Sequence, residues 1–572
     1  MGSPKIVLTA SSTEASEFKH SVWQQMLSAT IPFKYSKTFI NQASLENESW
    51  PDGRAKYVPN GLRMVETLLL RDYSEDDVVV CYVENLHRFV GPETKVVAIH
   101  AHNPLGISYA TDVYSKLGGE NLMPLNAHEF LRIVTHPVLK QYAPKIVVGG
   151  PGGWQLEKAD RLDEFKIDYL IDGEIEHVFS ELFRRIIAGD PSLERIIKIP
   201  KAMQPSVDEI PVVRHRSTFG VVEITRGCGR GCQFCSPATK VGRSFPLEHI
   251  VESTRVNVEE GATEVMLTSE DMFLYEQLPN FGTNVPAMEK MFKAVLSVPG
   301  LETIQLTHIT MAPVVKDPTV IERLTPLCVP YSHLTHEDST DPDKKIVDPI
   351  IGLETGSPRL FDQYMKGKAY PYKAYQWRDV VLKGMEILNR HNWYPFNTFI
   401  IGLPEDDEAA LDRTLHFALE LDLDFMSLNM AVPRFGTPFR ADALARGLAR
   451  EDDPKLEALI TRSSQTEKSD SVRLAQTFAF YRMGKPGMMS VIVQAMSNRS
   501  QRDQAAQYIR EAKTAMDILP FLRVEDQDAQ LVVVDALGLL GDQSTVDALK
   551  PLVRGASPDV ALAADRSIRL IE

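Results

Sequence analysis

Short apolar runs alternate with longer amphipathic stretches over residues 1–199. The strand candidates in this part are KIVLTA, DVVVCYV, KVVAIHA, KIVVGG and DYLIDGE. Stretches with helical spacing, such as HEFLRIVTHPVLKQY, lie between them. Nearly continuous apolar strands separated by helices are typical of a parallel sheet that is covered on both faces. The pattern therefore predicts an α/β domain over residues 1–199, with ligands expected at the carboxyl ends of its strands.

A second alternating segment follows a proline-spaced stretch, which predicts a linker over residues 200–216. Its six strand candidates are, in order, GVVEIT, EVMLTS, TIQLTH, PIIGLE, NTFIIGL and DFMSLNMAV. Six repeats of strand and helix predict a partial, open (β/α)6 barrel over residues 217–446. The polar stretch YSHLTHEDSTDPDKK is expected to be a loop over the barrel mouth, where functional loops usually lie.

The remaining residues, 447–572, are mostly helical by pattern. Two helix-rich stretches begin at Asp528 and Asp559, 31 residues apart. This offset resembles a HEAT-type helical repeat, whose stacks often present a protein-binding face. A simple helical cap on the barrel is an equally good interpretation. The predicted class is thus α/β, with a parallel-sheet domain, a partial barrel and a helical domain.

Length and composition are ordinary for a globular protein of several domains. The chain has 572 residues, of which 44% are hydrophobic and 24% charged. No apolar run is long enough for a membrane span, and acidic residues follow the N-terminus too soon for a signal peptide. A cytoplasmic location is therefore expected. The net charge of −15 argues against general nucleic-acid binding, because phosphate contacts require clustered Lys and Arg.

Three of the five cysteines lie together in the segment EITRGCGRGCQFCSPATKVGR. Cys228, Cys232 and Cys235 follow a strand with the spacing C-x3-C-x2-C. Thiolates suit iron–sulfur clusters, and three of them would leave the fourth iron open to another molecule. A zinc site is the alternative, although zinc sites usually have a second cysteine pair or histidine partners. Cys81 and Cys328 are interpreted as buried, reduced thiols.

This cysteine motif, with aromatic Phe234 before its last cysteine, resembles that of the radical S-adenosylmethionine (SAM) superfamily. The resemblance implies a 4Fe–4S cluster on the three cysteines and SAM bound to the open iron. It also implies that electron transfer from the cluster cleaves SAM, and that the deoxyadenosyl radical removes hydrogen from an unactivated carbon. An electron donor is therefore an expected partner.

Later motifs resemble the same superfamily in order and spacing. TSED ends the second barrel strand, where the family often has a Gly-Gly-Glu element, and it implies SAM contacts at Ser269 and Glu270. IGLETGSPRLF implies contacts at Glu354 and Ser357, although Glu354 alone fits an ordinary capping or surface carboxylate equally well. FIIGLPEDDEAAL implies that Gly402 lies near the adenosine, and NMAVPRFGTPF resembles the end of the sixth strand.

A parallel-sheet domain ahead of such a barrel resembles the cobalamin-dependent class of the superfamily. The resemblance implies that glycine-rich loops after two strands let the backbone approach this large cofactor. The expected cobalamin contacts are Gly149, Gly150, Gly152, Gly153, Gly173 and Glu174. The D-x-H-x-x-G signature of base-off, His-on proteins is absent. The loop HAHNPLG supplies His102, Asn103 and Leu105 as candidates for the lower face of the corrin, with a satisfied loop histidine as the alternative for His102.

The resemblance implies a C-methyltransferase that uses a 4Fe–4S cluster, SAM and cobalamin. The helical tail and acidic composition fit a protein or peptide substrate. The architecture is similar to that of archaeal enzymes that methylate an arginine or a glutamine of methyl-coenzyme M reductase, and the glutamine type is favoured. Two alternatives stay open: a cobalamin-dependent radical SAM cyclase or oxidative enzyme acting on a lipid or tetrapyrrole, and a scaffold with a structural cluster. No side chain is assigned to acid–base catalysis.

Overall fold

A computed structural model describes most of the chain. It covers residues 2–18, 28, 31–39, 45, 47–107, 111, 123–200, 203–235, 241–433, 437–446, 473–474, 477–478, 481, 487–510, 512, 514–555 and 557–571. The chain forms two compact units, Met1–Arg440 and Ala441–Glu572. Within the residues covered, no helix has both the length and the apolar character that crossing a bilayer requires.

The first unit begins with a six-stranded sheet of order β2-β1-β3-β4-β5-β6. Its strands are β1 (Ile6–Ala10), β2 (Val78–Val80), β3 (Val96–His100), β4 (Lys145–Gly149), β5 (Tyr169–Asp172) and β6 (Ile196–Lys198). All neighbouring strands are parallel. Successive residues of β1 enter two different hydrophobic cores, since Ile6 and Leu8 pack in one and Val7 in the other. The sheet is therefore covered on both faces, which confirms the predicted α/β class.

Helices connect these strands. They are α1 (Ser12–Ala15), α2 (Phe33–Phe39), α3 (Asn60–Leu69), α4 (Leu86–Phe89), α5 (Leu125–Val134), α6 (Pro137–Tyr142), α7 (Gly153–Lys158) and α8 (Phe179–Ala188). The sequence pattern missed β6, because its residues are only half-buried or exposed and form a run of three.

Six parallel strands of the partial barrel follow, in two three-stranded sheets of order β11-β10-β7 and β12-β13-β14. They are β7 (Val221–Glu223), β10 (Glu264–Thr268), β11 (Thr303–Leu306), β12 (Ile350–Glu354), β13 (Phe396–Ile401) and β14 (Met426–Met430). A bridge between His308 and Ile350 joins the two sheets. A short antiparallel pair, β8 (Thr225–Arg226) and β9 (Arg243–Ser244), flanks the end of β7. The predicted open (β/α)6 arrangement is confirmed.

The helices that belong to this part are α9 (Leu247–Glu259), α10 (Val285–Leu296), α11 (Met311–Lys316), α12 (Thr319–Cys328), α13 (Pro358–Met365), α14 (Trp377–Arg390), α15 (Glu408–Leu421) and α16 (Pro438–Ala445). In β10, Val265 and Leu267 are buried, whereas Glu264, Met266 and Thr268 are half-buried. This alternation fits a strand with one face against helices and the other toward the barrel interior.

The polar loop between α12 and β12 does not lie over the barrel mouth. His333 contacts the carboxylate of Glu264, the first residue of β10. Thr340 donates its N–H to Asn392, which precedes β13. The expectation was therefore wrong: the loop lies at the amino ends of the strands. The reason is topological, because a helix-to-strand connection returns the chain to the amino end of the next strand.

The second unit is helical. Its helices are α17 (Met488–Gln494), α18 (Arg502–Arg510), α19 (Ala515–Ile518), α20 (Gln527–Leu540), α21 (Val546–Leu549), α22 (Leu552–Gly555) and α23 (Pro558–Ile571). Helices α20 and α23 both have 14 residues and begin 31 positions apart. Ser567 of α23 donates a hydrogen bond to the backbone of Val534 in α20. The expected helical tail is present, while its use in binding stays a prediction.

Candidate active site

The cysteine loop leaves β8 at the carboxyl end of the barrel strands. Cys228 and Cys232 are buried and Cys235 is half-buried. The electrostatic neighbours of Cys232 include both other cysteines. Gly229 and Gly231 have positive φ angles, a conformation that L side chains rarely adopt. These glycines let the chain turn tightly enough to bring three thiols into one region.

The protonation states of Cys228 and Cys232 are set mainly by burial. Burial raises the pKa of Cys228 to about 12, with a further rise from Asp271. Burial also raises the pKa of Cys232 to about 11, although the ammonium of Lys368 opposes the rise. Both thiols are thus protonated near pH 7 in the metal-free chain, and metal binding must release their protons.

The donor set of three thiols suits an iron–sulfur cluster, because thiolates are soft ligands. All three cysteines are free thiols. In the part of the chain that is described, no three His, Cys, Asp or Glu side chains are placed to hold one metal ion.

The last turn of α13 and the segment after it brace the cysteine loop. Gln233 donates its N–H to the carbonyl of Tyr364 over 2.8 Å, and its side-chain amide donates to the carbonyl of Gln363 over 2.6 Å. A Cβ on Gly367 would overlap the carbonyl oxygen of Arg230. A glycine is therefore required where this segment crosses the loop.

A buried ion pair links the cysteine loop to the end of β10. Arg230 donates from Nε to Asp271 Oδ2 over 2.9 Å, and these side chains are 1% and 0% exposed. The same carboxylate accepts hydrogen bonds from the Thr310 hydroxyl and the Phe273 N–H. Because a buried carboxylate needs such partners, Asp271 fixes the loop rather than remaining free for a ligand. The sequence analysis did not single out Asp271.

Ser269 and Glu270 lie at the same edge, directly after β10. Ser269 Oγ shares a hydrogen bond with the Thr225 hydroxyl and accepts the N–H of Asp271. Its own N–H is donated to Thr307. Ser269 is buried and Glu270 is half-buried. The structure thus places both residues beside the cysteine loop, while their contact with SAM stays a prediction.

Glu354 ends β12 at the same edge and is buried, which excludes an ordinary surface carboxylate. Its partner is the ammonium of Lys368, which also donates to the carbonyl of Gly352 over 3.0 Å. Lys368 in turn interacts electrostatically with Cys232 and Cys235. The sequence analysis missed Lys368, because only the fold brings this residue to the strand end.

At the same edge, Ser357 has a hydroxyl without a hydrogen-bond partner in the described structure, and Gly402 has free space beside its backbone. Ser357, ahead of α13, is buried, and its Oγ has no hydrogen-bond partner among the described residues. Gly402 follows β13 with a φ of +81°, and a Cβ there would meet nothing within 4 Å in the described structure. The Gly402 N–H is donated to Asp406, whose pKa is raised by burial. An orphaned hydroxyl and an open backbone position fit a bound polar ligand such as SAM.

The carboxyl edge of the N-terminal sheet is organised by Glu14 of α1. Glu14 Oε2 lies 2.9 Å from His100 Nδ1, and Oε1 accepts the N–H groups of His102 and Asn103. These contacts and both histidine charges hold the Glu14 pKa below its usual value, against the effect of burial. Glu14 therefore fixes the turn after β3, a function that the sequence analysis missed.

The three candidates for the lower corrin face have different environments. The His102 side chain is exposed, whereas Asn103 is buried. Asn103 donates to Thr111 over 3.0 Å and accepts from Gln155 over 2.9 Å. Leu105 donates its N–H to the same glutamine. Asn103 is thus occupied as a brace of the loop, and a cobalamin contact of His102, Asn103 or Leu105 stays a prediction.

Most glycines expected to contact cobalamin have an internal packing function. A Cβ on Gly150 would lie 2.7 Å from the Ala101 carbonyl, and one on Gly152 would overlap the His102 carbonyl. A Cβ on Gly153 would lie 3.1 Å from Leu170, and one on Gly173 would lie 2.8 Å from Ile199. Gly149 differs, because its nearest neighbour in the described structure would be 4.0 Å away. Gly149 is therefore the position where a ligand could approach the backbone.

Glu174 takes part in a network of ion pairs rather than facing open space. It contacts Arg226, just before the cysteine loop, and Arg243 of β9. Glu176 and Glu223 also bind Arg226, at 2.7 and 2.6 Å. All five side chains are at most 23% exposed. The network joins the carboxyl edge of the N-terminal sheet to the start of the cysteine loop. The expected contact between Glu174 and cobalamin stays a prediction.

Comparisons with known proteins give one family model and several distant relatives. Residues 222–418 match the family model of the radical SAM superfamily. A tRNA-2-methylthio-N(6)-dimethylallyladenosine synthase of Chromobacterium violaceum is 23% identical over 305 residues, which covers 52% of this chain and 62% of that protein. An uncharacterized methyltransferase of Pyrococcus horikoshii is 21% identical over 329 residues, or 53% and 64% of the two chains. The chain thus spans less than two thirds of the length of these curated relatives.

The similarity to solved structures covers more of the chain than residues 222–418. The radical SAM methyltransferase TsrM from Kitasatospora setae, with tryptophan substrate and a SAM analog bound, matches with a TM-score of 0.51 and 14% identity. The match covers 77% of this chain and 76% of that one. The same enzyme with cobalamin and a [4Fe-4S] cluster matches over 79% and 80%. Residues 222–418 are therefore similar to the radical SAM superfamily, and the chain has a fold similar to that of TsrM.

Proposed function

We propose that the chain is a cobalamin-dependent radical SAM C-methyltransferase that methylates an unactivated carbon of a protein residue. The observation that carries this proposal is the junction at Arg226. There the carboxyl edge of the N-terminal sheet, through Glu174 and Glu176, contacts the first residue ahead of the cysteine loop. The proposed cobalamin site at the edge of the sheet and the proposed cluster site in the cysteine loop are thus joined at one point. This arrangement suits an enzyme that uses both cofactors on one substrate.

The proposed cluster ligands are Cys228, Cys232 and Cys235. The cluster, when bound with SAM, supplies the electron that starts radical chemistry. The proposed SAM contacts lie at or just after the carboxyl ends of three different barrel strands; they are Ser269, Glu270, Glu354, Ser357 and Gly402. The orphaned hydroxyl of Ser357 and the open backbone at Gly402 support this assignment. These residues would bind and orient SAM, which supplies much of the selectivity in such a reaction.

The proposed cobalamin site lies at the carboxyl edge of the N-terminal sheet. Gly149 supports it most directly, because a Cβ at this end of β4 would come no closer than 4.0 Å to any described neighbour. The turn that Glu14 holds after β3 would line the same edge. TsrM, whose structure contains cobalamin, has a similar fold over most of this chain. The fold therefore suits methylcobalamin, as the proposed methyl donor, placed between the edge of the N-terminal sheet and the barrel.

The cofactors can be tested on the purified chain. After anaerobic purification and reconstitution with iron, sulfide and hydroxocobalamin, we expect one four-iron cluster and one corrinoid per chain. Ultraviolet–visible spectroscopy and metal analysis measure both. Iron without corrinoid would remove the cobalamin mechanism and leave the radical SAM assignment in place. Zinc without iron would overturn the whole proposal.

The reaction can be tested by product mass. Under dithionite and SAM, we expect deoxyadenosine and a substrate that gains the mass of one CH2. The first substrate to test is a peptide containing the active-site glutamine of methyl-coenzyme M reductase, with the arginine peptide as its matched control. A gain of CH2S would indicate methylthiolation, and a loss of hydrogen would indicate cyclisation or oxidation. A full cluster that never cleaves SAM would support a scaffold instead.

A further inference from the structure

The outer face of β14, the last strand of the barrel, is apolar and exposed. Leu428 is paired in register with Phe399 of β13, whose ring packs against Phe417 of α15 at 6.2 Å between centroids. Side chains of paired parallel residues point to the same face, so Leu428 faces the helix layer. Met426 and Met430 share this face, and the three residues are 41–50% exposed. The strands of parallel sheets are normally covered on both faces, so this surface is unusual.

One flank of α15 continues this apolar surface. Glu420 pairs with Arg378 of α14, which marks the flank of α15 that faces α14. Leu411 precedes Glu420 by nine residues, about two and a half turns, so it lies on the opposite flank, toward β14. Leu415 and Leu419 follow Leu411 at intervals of about one turn, and all three leucines are exposed. The leucine stripe and the outer face of β14 thus form one apolar corner.

The dimensions of this corner suit a helix. Leu411 and Leu419 are eight residues apart on a helix, which is about 12 Å. Met426 and Met430 are four residues apart on a strand, which is about 13 Å. The two apolar rows therefore match about two turns of one helix, the element that covers parallel strands in α/β folds. The next described helix of the chain, α16, packs against the cysteine loop instead.

The rim of the corner is acidic. Residues 404–433 contain eight acidic residues, one arginine and no lysine. Glu408, Asp412 and Asp422 are exposed, and they form no ion pair in the described structure. A second copy of this chain would bring the same acidic rim to the contact, where like charges repel each other. A helix that carries lysine or arginine on either side of an apolar stripe complements both the rim and the corner.

We propose that the corner between α15 and β14 is a docking surface for a basic amphipathic helix of a partner protein. The leucine stripe and the methionines of β14 bury the apolar face of that helix, and the acidic rim holds its cationic side chains. Helices that bind in grooves gain affinity from apolar anchors at helical spacing. Flexible methionine side chains adapt to the shape of such a partner. The surface uses neither the proposed cluster nor cobalamin, so this inference is independent of the proposed function.

The test measures binding of a fluorescently labelled peptide to the full chain by anisotropy, in about 0.15 M salt. The peptide consists of leucine and lysine, with the leucines on one face of a helix of about four turns. We expect one saturable site, and no binding of the same peptide with glutamate in place of lysine. In Leu415→Asp and in Leu428→Asp, affinity should fall at least about tenfold, because each variant loses a buried apolar anchor. Leu562→Asp is the matched control, because Leu562 is an exposed leucine of α23, outside the corner.

The double variant Glu408→Lys/Asp412→Lys tests the rim and leaves the leucines in place. Its affinity for the lysine peptide should fall about threefold or more, with the circular dichroism of the wild type. An equal loss of affinity in Leu562→Asp and Leu415→Asp would show nonspecific binding to an acidic protein and overturn the inference. A wild-type chain that binds no peptide would also overturn it. A wild-type dimer that Leu428→Asp converts to a monomer in analytical ultracentrifugation would assign the corner to a second copy instead.

Discussion

At the residue scale, the cluster site depends on how burial and charge act on single side chains. Burial raises the pKa of the Cys232 thiol, Lys368 opposes this rise, and Glu354 adds to it. Residue type and spacing were enough to single out the three cysteines that the fold brings into one region. They could not reveal Lys368 or Asp271, because the functions of these two residues arise from contacts made only in the folded chain.

Replacing Cys232 by Ala removes the cysteine that interacts with both of the others. We expect iron content after anaerobic reconstitution to fall to the level of the metal-free chain, because two thiolates cannot hold the cluster against loss. Metal analysis and the visible spectrum measure the outcome. Cys81→Ala is the control, since Cys81 is a buried thiol in the N-terminal sheet region and should leave iron content unchanged. Full iron in Cys232→Ala would contradict the ligand assignment.

Asp348, just before β12, should make folding stability depend on pH. Its pKa is raised to about 7, mainly by burial; a backbone hydrogen bond and His333 oppose the rise, and Glu264 adds to it. An Asp in the unfolded chain titrates near 3.9. The folded state therefore binds the extra proton, so this contribution is complete below about pH 4 and is lost as pH rises through about 7.

The variant Asp348→Asn isolates this contribution. From pH 5 to pH 8, we expect the melting temperature of both proteins to fall. The fall should be a few degrees smaller in the variant than in the wild type. Differential scanning calorimetry at both pH values measures the difference. Equal pH dependence in the two proteins would show that Asp348 titrates normally in the folded chain.

At the scale of elements, strand positions were more predictable than the purpose of loop residues. β1, β3 and β4 are runs of buried apolar residues, a pattern that is visible in sequence. The glycines after β4 were also visible, but a glycine can serve a ligand or the chain itself. The structure shows that Gly150 and Gly152 pack against the turn after β3. Sequence alone could not tell a ligand-binding glycine from a packing glycine here, because the atoms that Gly150 and Gly152 contact belong to the loop after β3.

Two alanine variants of this loop should therefore behave differently. Gly152→Ala would place a Cβ into the His102 carbonyl, and we expect a loss of about 1–3 kcal/mol in unfolding free energy. Gly149→Ala meets only the Ile171 carbonyl at 4.0 Å and should fold with nearly wild-type stability. Chemical denaturation measures both. If the cobalamin proposal holds, Gly149→Ala should instead weaken corrinoid binding, and equal destabilisation of the two variants would contradict the packing argument.

At the scale of the whole molecule, the cysteine loop depends on residues far along the chain. Phe439, in α16, donates its N–H to the carbonyl of Gln233 over 3.0 Å, and its ring packs on Tyr364. The second unit has a hydrophobic core of its own. A chain cut at the predicted boundary, residue 446, would therefore retain every described contact between α16 and the cysteine loop.

Two truncations test this dependence. A chain ending at residue 446 should retain the iron content of the full chain, because it keeps α16. A chain ending at residue 433 loses α16 and should bind clearly less iron, since Gln233 loses its partner in that helix. Iron analysis after identical reconstitution, with circular dichroism as the control for folding, compares them. Equal iron in both truncations would show that α16 is dispensable for the cysteine loop.

The ion-pair network at Arg226 has a consequence for biogenesis. Glu174 and Glu176 precede this arginine by 52 and 50 residues. Domains generally fold as units during synthesis, from the N-terminus onward. Both acidic partners thus leave the ribosome ahead of the arginine and of the cysteines that follow it. The N-terminal sheet can then be complete when the thiols emerge, so that iron delivery meets a loop whose entrance is already anchored.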